Sequence, residues 1–257
     1  MKSYECFFFD VDGTLLDNKT HKVCESTLNG LKKLKENGKK CIICSGRGFI
    51  ALKEIEELNF IDWDGYILYN GALSVDNQNN VLDKHCFDLD TLYKIEEISQ
   101  KNKVVLLYEG DEYWFNQPQN EKAIMGMEFF GKHDDFEIKP YTGQEVCMMM
   151  AFDDEFSIFK GLDSIDVLDT PHHYADIVQK GISKGTGIQV FCNYFNIPIE
   201  NTMGFGDGIN DLEMLKMVGT SVAMGQGRKE IKEIASYVTD AVDQDGLYKA
   251  LKHFECI

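Results

Sequence analysis

The sequence predicts an α/β fold with a parallel sheet, interrupted by an inserted domain of α+β type. Apolar strand segments alternate with amphipathic helical segments in the first and the last third of the chain, which is the pattern of βαβ units with parallel strands. Between them the pattern changes to a hairpin signal and several strands in succession, which is typical of an antiparallel sheet with helices on one face. We therefore expect a core domain of residues 1–82 and 183–257 and an inserted domain of residues 83–182.

Hydrophobic periodicity predicts the elements of the N-terminal third. Leu28, Leu31 and Leu34 lie at helical spacing, and Gly38 follows them as a stop signal. Short apolar runs on either side of this helix read as strands. We predict a strand at 7–9, a helix at 25–36, a strand at 41–44, a helix at 49–58 and a strand at 66–69.

The same reasoning predicts the elements of the inserted segment and of the last third. Glu109-Gly110-Asp111 lies between two strand-like runs and is a hairpin signal. In the inserted segment we predict helices at 88–101 and 118–127 and strands at 104–108, 112–115, 145–152, 165–168 and 174–178. In the last third we predict helices at 184–195, 211–218, 229–235 and 246–254 and strands at 202–205 and 221–224.

Composition restricts the partners and the compartment. The formal net charge of −17 would repel the phosphates of a nucleic acid, so we expect no such partner. No apolar run approaches the roughly 20 residues that span a bilayer, and the N-terminus leads into a strand without a signal-peptide cleavage region. Cys41 and Cys44 have redox spacing, but they lie in a predicted buried strand. We expect a cytoplasmic protein with scattered, reduced thiols and no membrane partner.

Two carboxylates, Asp10 and Asp12, follow the first predicted strand directly. Ligands of open α/β sheets bind at the carboxyl ends of the strands, and two acids crowded there need a cation or a shared proton. These acids predict a Mg²⁺ site in which Asp10 attacks phosphorus and Asp12 acts as the acid and base. Gly13 would allow a tight turn and Thr14 would add a hydroxyl donor. The alternative is a solvated Asp-Gly turn.

Two further segments carry groups that could hold a phosphate. Ser45 and Gly46 follow the next strand, where a hydroxyl and a helix N-terminus could form a phosphate-binding site. The alternative is a simple helix cap, with Arg47 either a cation on the substrate side or a surface residue. Lys184 begins a predicted helix, which is an electrostatically poor position for a cation. It could hold the phosphate and the nucleophile together, or be a surface lysine.

A glycine-rich segment follows the later strand at 202–205 and carries three polar side chains. Asp207, Asn210 and Asp211 offer side-chain oxygens at a helix start, which suits a hard cation. We expect Asp207 to be a direct ligand, and Asn210 and Asp211 to contact phosphate or orient the metal ligands. The alternative is a glycine-rich turn with an aspartate cap.

These segments together resemble the four motifs of the haloacid dehalogenase (HAD) superfamily, in the same order. The matching segments are Asp10-Val11-Asp12-Gly13-Thr14, Ser45-Gly46-Arg47, Lys184-Gly185 and Gly206-Asp207-Gly208-Ile209-Asn210-Asp211. Residues 66–72 and 176–185 resemble the segments that flank the type IIB cap of the Cof-like subfamily. The resemblance covers the whole chain.

The resemblance implies a Rossmann-like parallel-sheet core with an inserted α+β cap of type IIB. It also implies a Mg²⁺-dependent phosphomonoester hydrolase that acts on a small phosphorylated metabolite, often a sugar phosphate, which the cap selects. The metal would be held by Asp10, the backbone carbonyl of Asp12, and Asp207. The phosphate would be held by Thr14, Ser45, Gly46, Lys184 and Asn210.

The sequence departs from the family pattern at two positions. Gln226-Gly227 stands where many members have Asn-Ala after Met-Gly, which puts one late loop contact in doubt. Asp176 stands where many members have Glu, and the shorter side chain could alter the reach to the substrate. Candidate substrate contacts are Arg47, Asn70, Glu109, His172, His173 and Asp176.

Some alternatives remain open for the cap and for the reaction. The histidine pair could simply lie in an exposed loop. Two other functions fit the same motifs, namely a phosphomutase on the same fold and a non-catalytic module that binds phosphosugars.

Overall fold

A computed structural model describes residues 3–129 and 136–257. It has the predicted α/β fold, with a mainly parallel sheet and a separate, mostly antiparallel sheet. The chain divides into two compact units. The first, called the core here, comprises Met1–Asp83 and Ser183–Ile257, and the second, called the cap, comprises Lys84–Ile182.

The strands and α-helices are numbered in chain order. The strands are β1 (Cys6–Phe9), β2 (Leu16–Asp17), β3 (Lys22–Val23), β4 (Lys40–Cys44), β5 (Gly65–Leu68), β6 (Leu73–Asp76), β7 (Val81–Lys84), β8 (Val105–Gly110), β9 (Tyr113–Phe115), β10 (Glu137–Ile138), β11 (Val146–Phe152), β12 (Ile165–Asp169), β13 (Tyr174–Gln179), β14 (Thr202–Gly206), β15 (Thr220–Ala223) and β16 (Tyr237–Val238). The helices are α1 (Glu25–Glu36), α2 (Phe49–Leu52), α3 (Leu89–Asn102), α4 (Glu121–Glu128), α5 (Lys184–Phe195), α6 (Leu212–Met217), α7 (Lys229–Ile234) and α8 (Gly246–His253).

The core sheet has the strand order β16-β15-β14-β1-β4-β5-β6-β7. The pairs from β16 to β5 are parallel, and β5 with β6 is antiparallel. The central strands are buried on both faces because helices cover them, as their continuous apolar sequences require. On one face Phe8, Ile42 and Ile67 pack against Ile188 and Phe191 of α5. The last two residues lie three positions apart, so both point from the helix towards the sheet.

The cap sheet has the strand order β10-β9-β8-β11-β13-β12. Its pairs are antiparallel except for β9 with β10. Alternate residues of β11 point to opposite faces. Met149 packs with Leu92 and Ile95 of α3 in one buried cluster, whereas Met148 and Met150 belong to the other face.

Two of the differences from the predictions lie in the chain between β4 and the end of β7. The helix predicted at 49–58 ends at Leu52, because Ile55 leaves helical dihedral angles (φ −87°, ψ 87°), and a 3₁₀ turn at Glu56–Phe60 follows. A hairpin of β6 and β7 extends the core sheet beyond the predicted strands. Its turn is held by Asp76, whose carboxylate accepts hydrogen bonds from the backbone N–H groups of Gln78 and Asn80. This is the turn chemistry expected of an aspartate.

Among the described residues, no helix has both the length and the apolar character that crossing a membrane requires.

Candidate active site

Three neighbouring parallel strands end at the same edge of the core sheet. β1 lies between β14 and β4, and its last residue, Phe9, is level with Phe205 of β14 and Ile43 of β4. Asp10 follows β1 directly, and Asp207 and Ser45 follow β14 and β4. After β1 the chain adds β4 and β5 on one side of this strand, and later it adds β14, β15 and β16 on the other side. The direction of strand addition therefore reverses at β1, and open α/β sheets bind ligands at such a switch point.

A buried lysine joins two of the acidic residues. Lys184 Nζ donates to Asp10 Oδ1 at 2.7 Å and to Asp211 Oδ1 at 2.6 Å. Lys184 and Asp211 have no exposed surface, and Asp10 is only 4% exposed. Lys184 is the first residue of α5, whose N-terminus is fixed by the Ser183 side chain, which accepts a hydrogen bond from the Thr186 N–H. Two carboxylates offset the unfavourable position of a cation at a helix N-terminus.

Asp211 links this lysine to the loop after β14. Its second oxygen, Oδ2, accepts hydrogen bonds from the backbone N–H groups of Asp207 and Gly208, both at 2.9 Å. Both oxygens of Asp211 are therefore engaged by protein donors. The residue fixes the backbone at Asp207 and the ammonium of Lys184 at the same time.

Carboxylate oxygens of Asp10, Asp207 and Asp211 lie within 4.8 Å of one another. Counted as fully ionised, the three acids carry two negative charges more than Lys184 balances. Burial and the charge of Asp211 raise the pKa of Asp10 well above its usual range, and the same causes raise the pKa of Asp207 to about 7. Burial opposes the charge on Lys184, but Asp10 and Asp211 outweigh it and raise the pKa of this lysine. An all-oxygen cluster with this excess charge could hold a hard divalent cation.

The loop after β1 approaches Asp207 very closely at Gly13. This glycine has a φ of +82°, and a Cβ at this position would lie 2.2 Å from Asp207 Oδ2. Only glycine fits both the conformation and the space. Gln226 holds the same two segments together, because its amide nitrogen donates to the Gly13 carbonyl and, at 3.2 Å, to Asp207 Oδ2. Its amide oxygen accepts from the Val242 N–H at 3.0 Å, which fixes the side chain.

The second acid of the pair, Asp12, forms a bidentate (two-pronged) ion pair with Arg47. Arg47 Nε donates to Oδ2 at 2.8 Å and its Nη2 donates to Oδ1 at 2.7 Å. The Arg47 side chain is only 10% exposed, and its guanidinium lies against Asp12 rather than in solvent. The Ser45 Oγ accepts from the Arg47 N–H at 3.0 Å and thereby fixes the turn, while its own hydrogen can be donated elsewhere.

The remaining core candidates lie in the loops around this edge. Among the described residues, the buried Thr14 hydroxyl has no hydrogen-bond partner. Asn210 Nδ2 donates to Asn70 Oδ1 at 3.0 Å, which links the loop after β14 to the turn after β5. Asn70 is buried and has a φ of 53°, a left-handed conformation that asparagine tolerates better than most residues.

The cap candidates fall into two groups. Glu109 on β8 and Asp176 on β13 are buried, and they lie opposite Met148 and Met150 of the strand between them. Met148 and Met150 are two residues apart on β11, so both carboxyl groups belong to the same face of the cap sheet.

The two histidines lie in the loop before β13. His172 is exposed and stacks on Phe129, with the ring centroids 4.0 Å apart. Partial desolvation is the larger cause of its lowered pKa, and the charge of His173 is the smaller one. His173 Nδ1 lies 2.5 Å from Asp154 Oδ1. These contacts are those of a surface loop, which was the alternative for this pair.

Sequence reasoning missed the role of Gln226. The signal was present, because this residue is the point at which the last loop departs from the family pattern. In the structure the carboxamide of Gln226 contacts the Gly13 carbonyl, Asp207 Oδ2 and the Val242 N–H.

The site combines an acidic pair after β1, a buried lysine at a helix start and an acidic loop after β14. Together with a parallel sheet and an inserted antiparallel unit, these features define the class of HAD-type phosphatases. The chain belongs to the haloacid dehalogenase-like hydrolase family, whose profile matches residues 7–251.

Relatives and solved structures agree with this assignment. The chain is 30% identical to the putative phosphatase YkrA of Bacillus subtilis over 253 residues, which cover 95% of each chain. It is 28% identical to the 5-amino-6-(5-phospho-D-ribitylamino)uracil phosphatase YitU of the same organism over 265 residues, again 95% of each. It is also 31% identical to the HAD subclass IIB sugar phosphatase BT4131, with a TM-score of 0.88 and coverage of 98% of this chain and 100% of that one. The protein is a phosphoric monoester hydrolase of the HAD type.

Proposed function

We propose that the protein hydrolyses phosphomonoesters of sugars or similar small metabolites, with Mg²⁺ and an aspartyl-phosphate intermediate on Asp10. The observation that carries this proposal is the position of Asp10, which is buried at the end of β1, 2.7 Å from Lys184 and beside Asp207. A buried carboxylate held by a cation next to a second acid suits nucleophilic attack on a phosphate.

The donor set supports Mg²⁺ as the cation. Asp10 and Asp207 would supply carboxylate oxygens and Asp12 its backbone carbonyl, while Asp211 holds the Asp207 backbone and Lys184. When bound at these residues, Mg²⁺ would neutralise negative charge, so that an anionic phosphate could approach an anionic nucleophile.

The chain's own residues carry out the bond changes. An Asp10 oxygen attacks phosphorus, the bond to the leaving oxygen breaks, and Asp12 donates a proton to that oxygen. Asp12 then takes a proton from water, and the resulting oxygen attacks phosphorus, which releases inorganic phosphate and restores Asp10. Both Asp12 oxygens accept from Arg47 in the structure, so one of these contacts opens when Asp12 carries the proton, and the other keeps its carboxyl group in place.

Fixed donors hold the phosphate oxygens during these steps. We assign this role to Lys184, to the Ser45 hydroxyl and Gly46 N–H, to the Thr14 hydroxyl and to Asn210. The buried Thr14 hydroxyl has no hydrogen-bond partner among the described residues. This supports the assignment, because a phosphate oxygen could accept a hydrogen bond from it. Preorganised donors of this kind are the main contribution a protein makes to phosphoryl transfer.

The cap supports a substrate that carries hydroxyl groups. Glu109 and Asp176 are buried carboxylates on one face of the cap sheet, and carboxylates accept hydrogen bonds from hydroxyls but repel a second phosphate. Their chemistry therefore favours a polyol or sugar monophosphate over a bisphosphate. Arg47 and Asn70 in the core, and His172 and His173 in the cap, are further candidates for substrate contacts.

The test is Mg²⁺-dependent phosphate release from a panel of sugar phosphates, nucleotides and cofactor phosphates. Asp10→Asn should abolish release while circular dichroism remains unchanged. The matched control is Asp62→Asn, which makes the same change at an exposed position of the core. Full activity of Asp10→Asn would end the case for an Asp10 nucleophile. Isomerised sugar phosphate without free phosphate would favour the phosphomutase.

A further inference from the structure

Two cysteine side chains meet in the cap although they lie 61 residues apart in the sequence. Cys86 Sγ and Cys147 Sγ are 3.5 Å apart. Cys86 lies on the segment between β7 and α3, two residues after the cap begins, and Cys147 lies on β11. A backbone hydrogen bond of 2.9 Å from the Phe87 N–H to the Val146 carbonyl holds the two segments together beside the thiols.

The thiols differ in their access to solvent. Cys86 is half-buried, whereas Cys147 is 1% exposed. A small oxidant can therefore reach Cys86 first, with Cys147 directly behind it. By contrast, Cys41 and Cys44, which have redox spacing in the sequence, have no exposed surface.

Charges around the pair favour a thiolate on Cys86. A hydrogen bond from Cys147 lowers the pKa of Cys86, burial opposes this, and the ammonium of Lys84 lowers it further. Lys84 also pairs with Glu145 at 2.5 Å and lies 3.9 Å from Asp111, and both acids act against the thiolate. The net direction is a lowered pKa for Cys86 and a raised one for Cys147, which keeps its proton. Reactive cysteines have this character, with a stabilised thiolate and partial exposure.

We propose that Cys86 and Cys147 are a redox-active thiol pair that a hydroperoxide converts into a disulfide. The Cys86 thiolate attacks the outer peroxide oxygen, the O–O bond breaks, and the departing oxygen takes a proton to leave as water or an alcohol. The sulfur of Cys147 then attacks the sulfenic sulfur of Cys86, the S–S bond forms, and the S–O bond breaks. The hydroxide leaves as water with the proton of Cys147. The two sulfurs together lose two electrons, which the peroxide accepts.

The disulfide would add a covalent link at a place where hydrogen bonds already join three segments. The Gln179 side chain of β13 donates to the Cys86 carbonyl, and the Phe87 N–H donates to the carbonyl of Val146, the first residue of β11. Oxidation would thus fix the segment by which the chain enters the cap to β11, one of the two middle strands of the cap sheet. This inference is independent of the proposed phosphatase chemistry, because it involves none of the residues of that site.

The experiment treats the reduced full-length protein with hydrogen peroxide and maps the thiols by mass spectrometry without reduction. We expect the loss of two hydrogens and a linked peptide pair that contains Cys86 and Cys147, reversed by dithiothreitol. Cys147→Ser should stop at a sulfenic acid on Cys86 that dimedone traps. Cys86→Ser should leave Cys147 a thiol. Cys24→Ser, which removes a half-buried cysteine of the core, is the matched control and should form the disulfide normally.

Two results would overturn the proposal. The first is a pair that remains two thiols while Cys24 is oxidised, because Cys86 would then have no special reactivity. The second is a Cys147→Ser variant, folded by circular dichroism, in which dimedone does not label Cys86. Phosphatase activity is not a readout here, so failure of this proposal does not bear on the function proposed above.

Discussion

The buried cluster of Lys184, Asp10 and Asp211 makes a strong prediction about stability. Lys184→Met keeps the length of the side chain and removes its charge. Asp10 and Asp211 then face each other in a buried site without the ammonium that donates to both of them.

The expected loss follows from the burial of all three groups. Removing one partner of a buried ion pair costs about 3–5 kcal/mol, because the other partner keeps its desolvation penalty. In Lys184→Met two carboxylates lose the same partner, so we expect the free energy of unfolding of the core to fall by about 4 kcal/mol at neutral pH. The matched control is Lys229→Met, which removes a lysine that is 86% exposed and pairs with Glu233 at 3.5 Å. An exposed pair of this kind contributes little, so the control should resemble wild type.

The assay can follow the core separately from the cap. The chain has two tryptophans, Trp63 in the core and Trp114 in the cap. Both are buried, so in a Trp114→Phe background the fluorescence of Trp63 reports urea unfolding of the core alone. The variants are compared in this background, with chelator and with Mg²⁺. Binding of Mg²⁺ at about 100 times its Kd should stabilise the folded form by about 2.7 kcal/mol. The gain in unfolding free energy on adding Mg²⁺ should be larger in Lys184→Met, because this variant has lost the cation that balances Asp10 and Asp211.

A small loss in Lys184→Met, equal to that of Lys229→Met, would refute the reasoning. It would mean that Asp10 or Asp211 takes up a proton at little cost when the lysine is absent. The absence of any Mg²⁺ effect on unfolding of the wild-type core would contradict the metal assignment separately.

Three further predictions concern the loops around the site. Gly13→Ala places a Cβ 2.2 Å from Asp207 Oδ2 at a φ of +82°, so thermal denaturation should show a loss of about 1–3 kcal/mol, and Mg²⁺ affinity should fall too. Gln226→Ala removes a donor to Asp207, and titration calorimetry should show about 10–100-fold weaker Mg²⁺ binding with the fold retained. Arg47→Lys cannot reproduce the two-pronged pair with Asp12, so steady-state kinetics should show a lower kcat. An unchanged value in any of these measurements would contradict the contact on which it rests.

Local pattern was enough to predict many elements of the fold. The helices α1 and α5 begin and end at the predicted residues, because apolar positions recur at helical spacing and Gly38 and Asn196 stop them. The helix predicted at 49–58 was wrong in its second half, where Ile55 takes a non-helical conformation as its side chain is buried. The hairpin of β6 and β7 was not predicted, because its turn depends on hydrogen bonds to one aspartate rather than on glycine.

The partners of the charged residues could not be predicted to the same degree. Sequence reasoning left Arg47 as either a surface residue or a substrate contact, and its pairing with Asp12 requires two loops to meet. Gln226 and Gly13 are 213 residues apart, and their contact depends on the position of the last loop against the first. Cys86 and Cys147 are 61 residues apart, and their contact depends on the packing of the segment after β7 beside β11.

The sequence by itself determined the class of the fold and the chemistry at the strand ends, because those features lie in short contiguous segments. The acid pair after β1, the serine after β4 and the acidic loop after β14 can be identified without knowledge of any distance. The tertiary structure decided which of these groups touch. Lys184 and Asp10 are 174 residues apart, and their contact depends on strand order and register in the core sheet. Electrostatic energy falls with distance and with solvent exposure, so the properties of these groups are set by partners that only the folded chain provides.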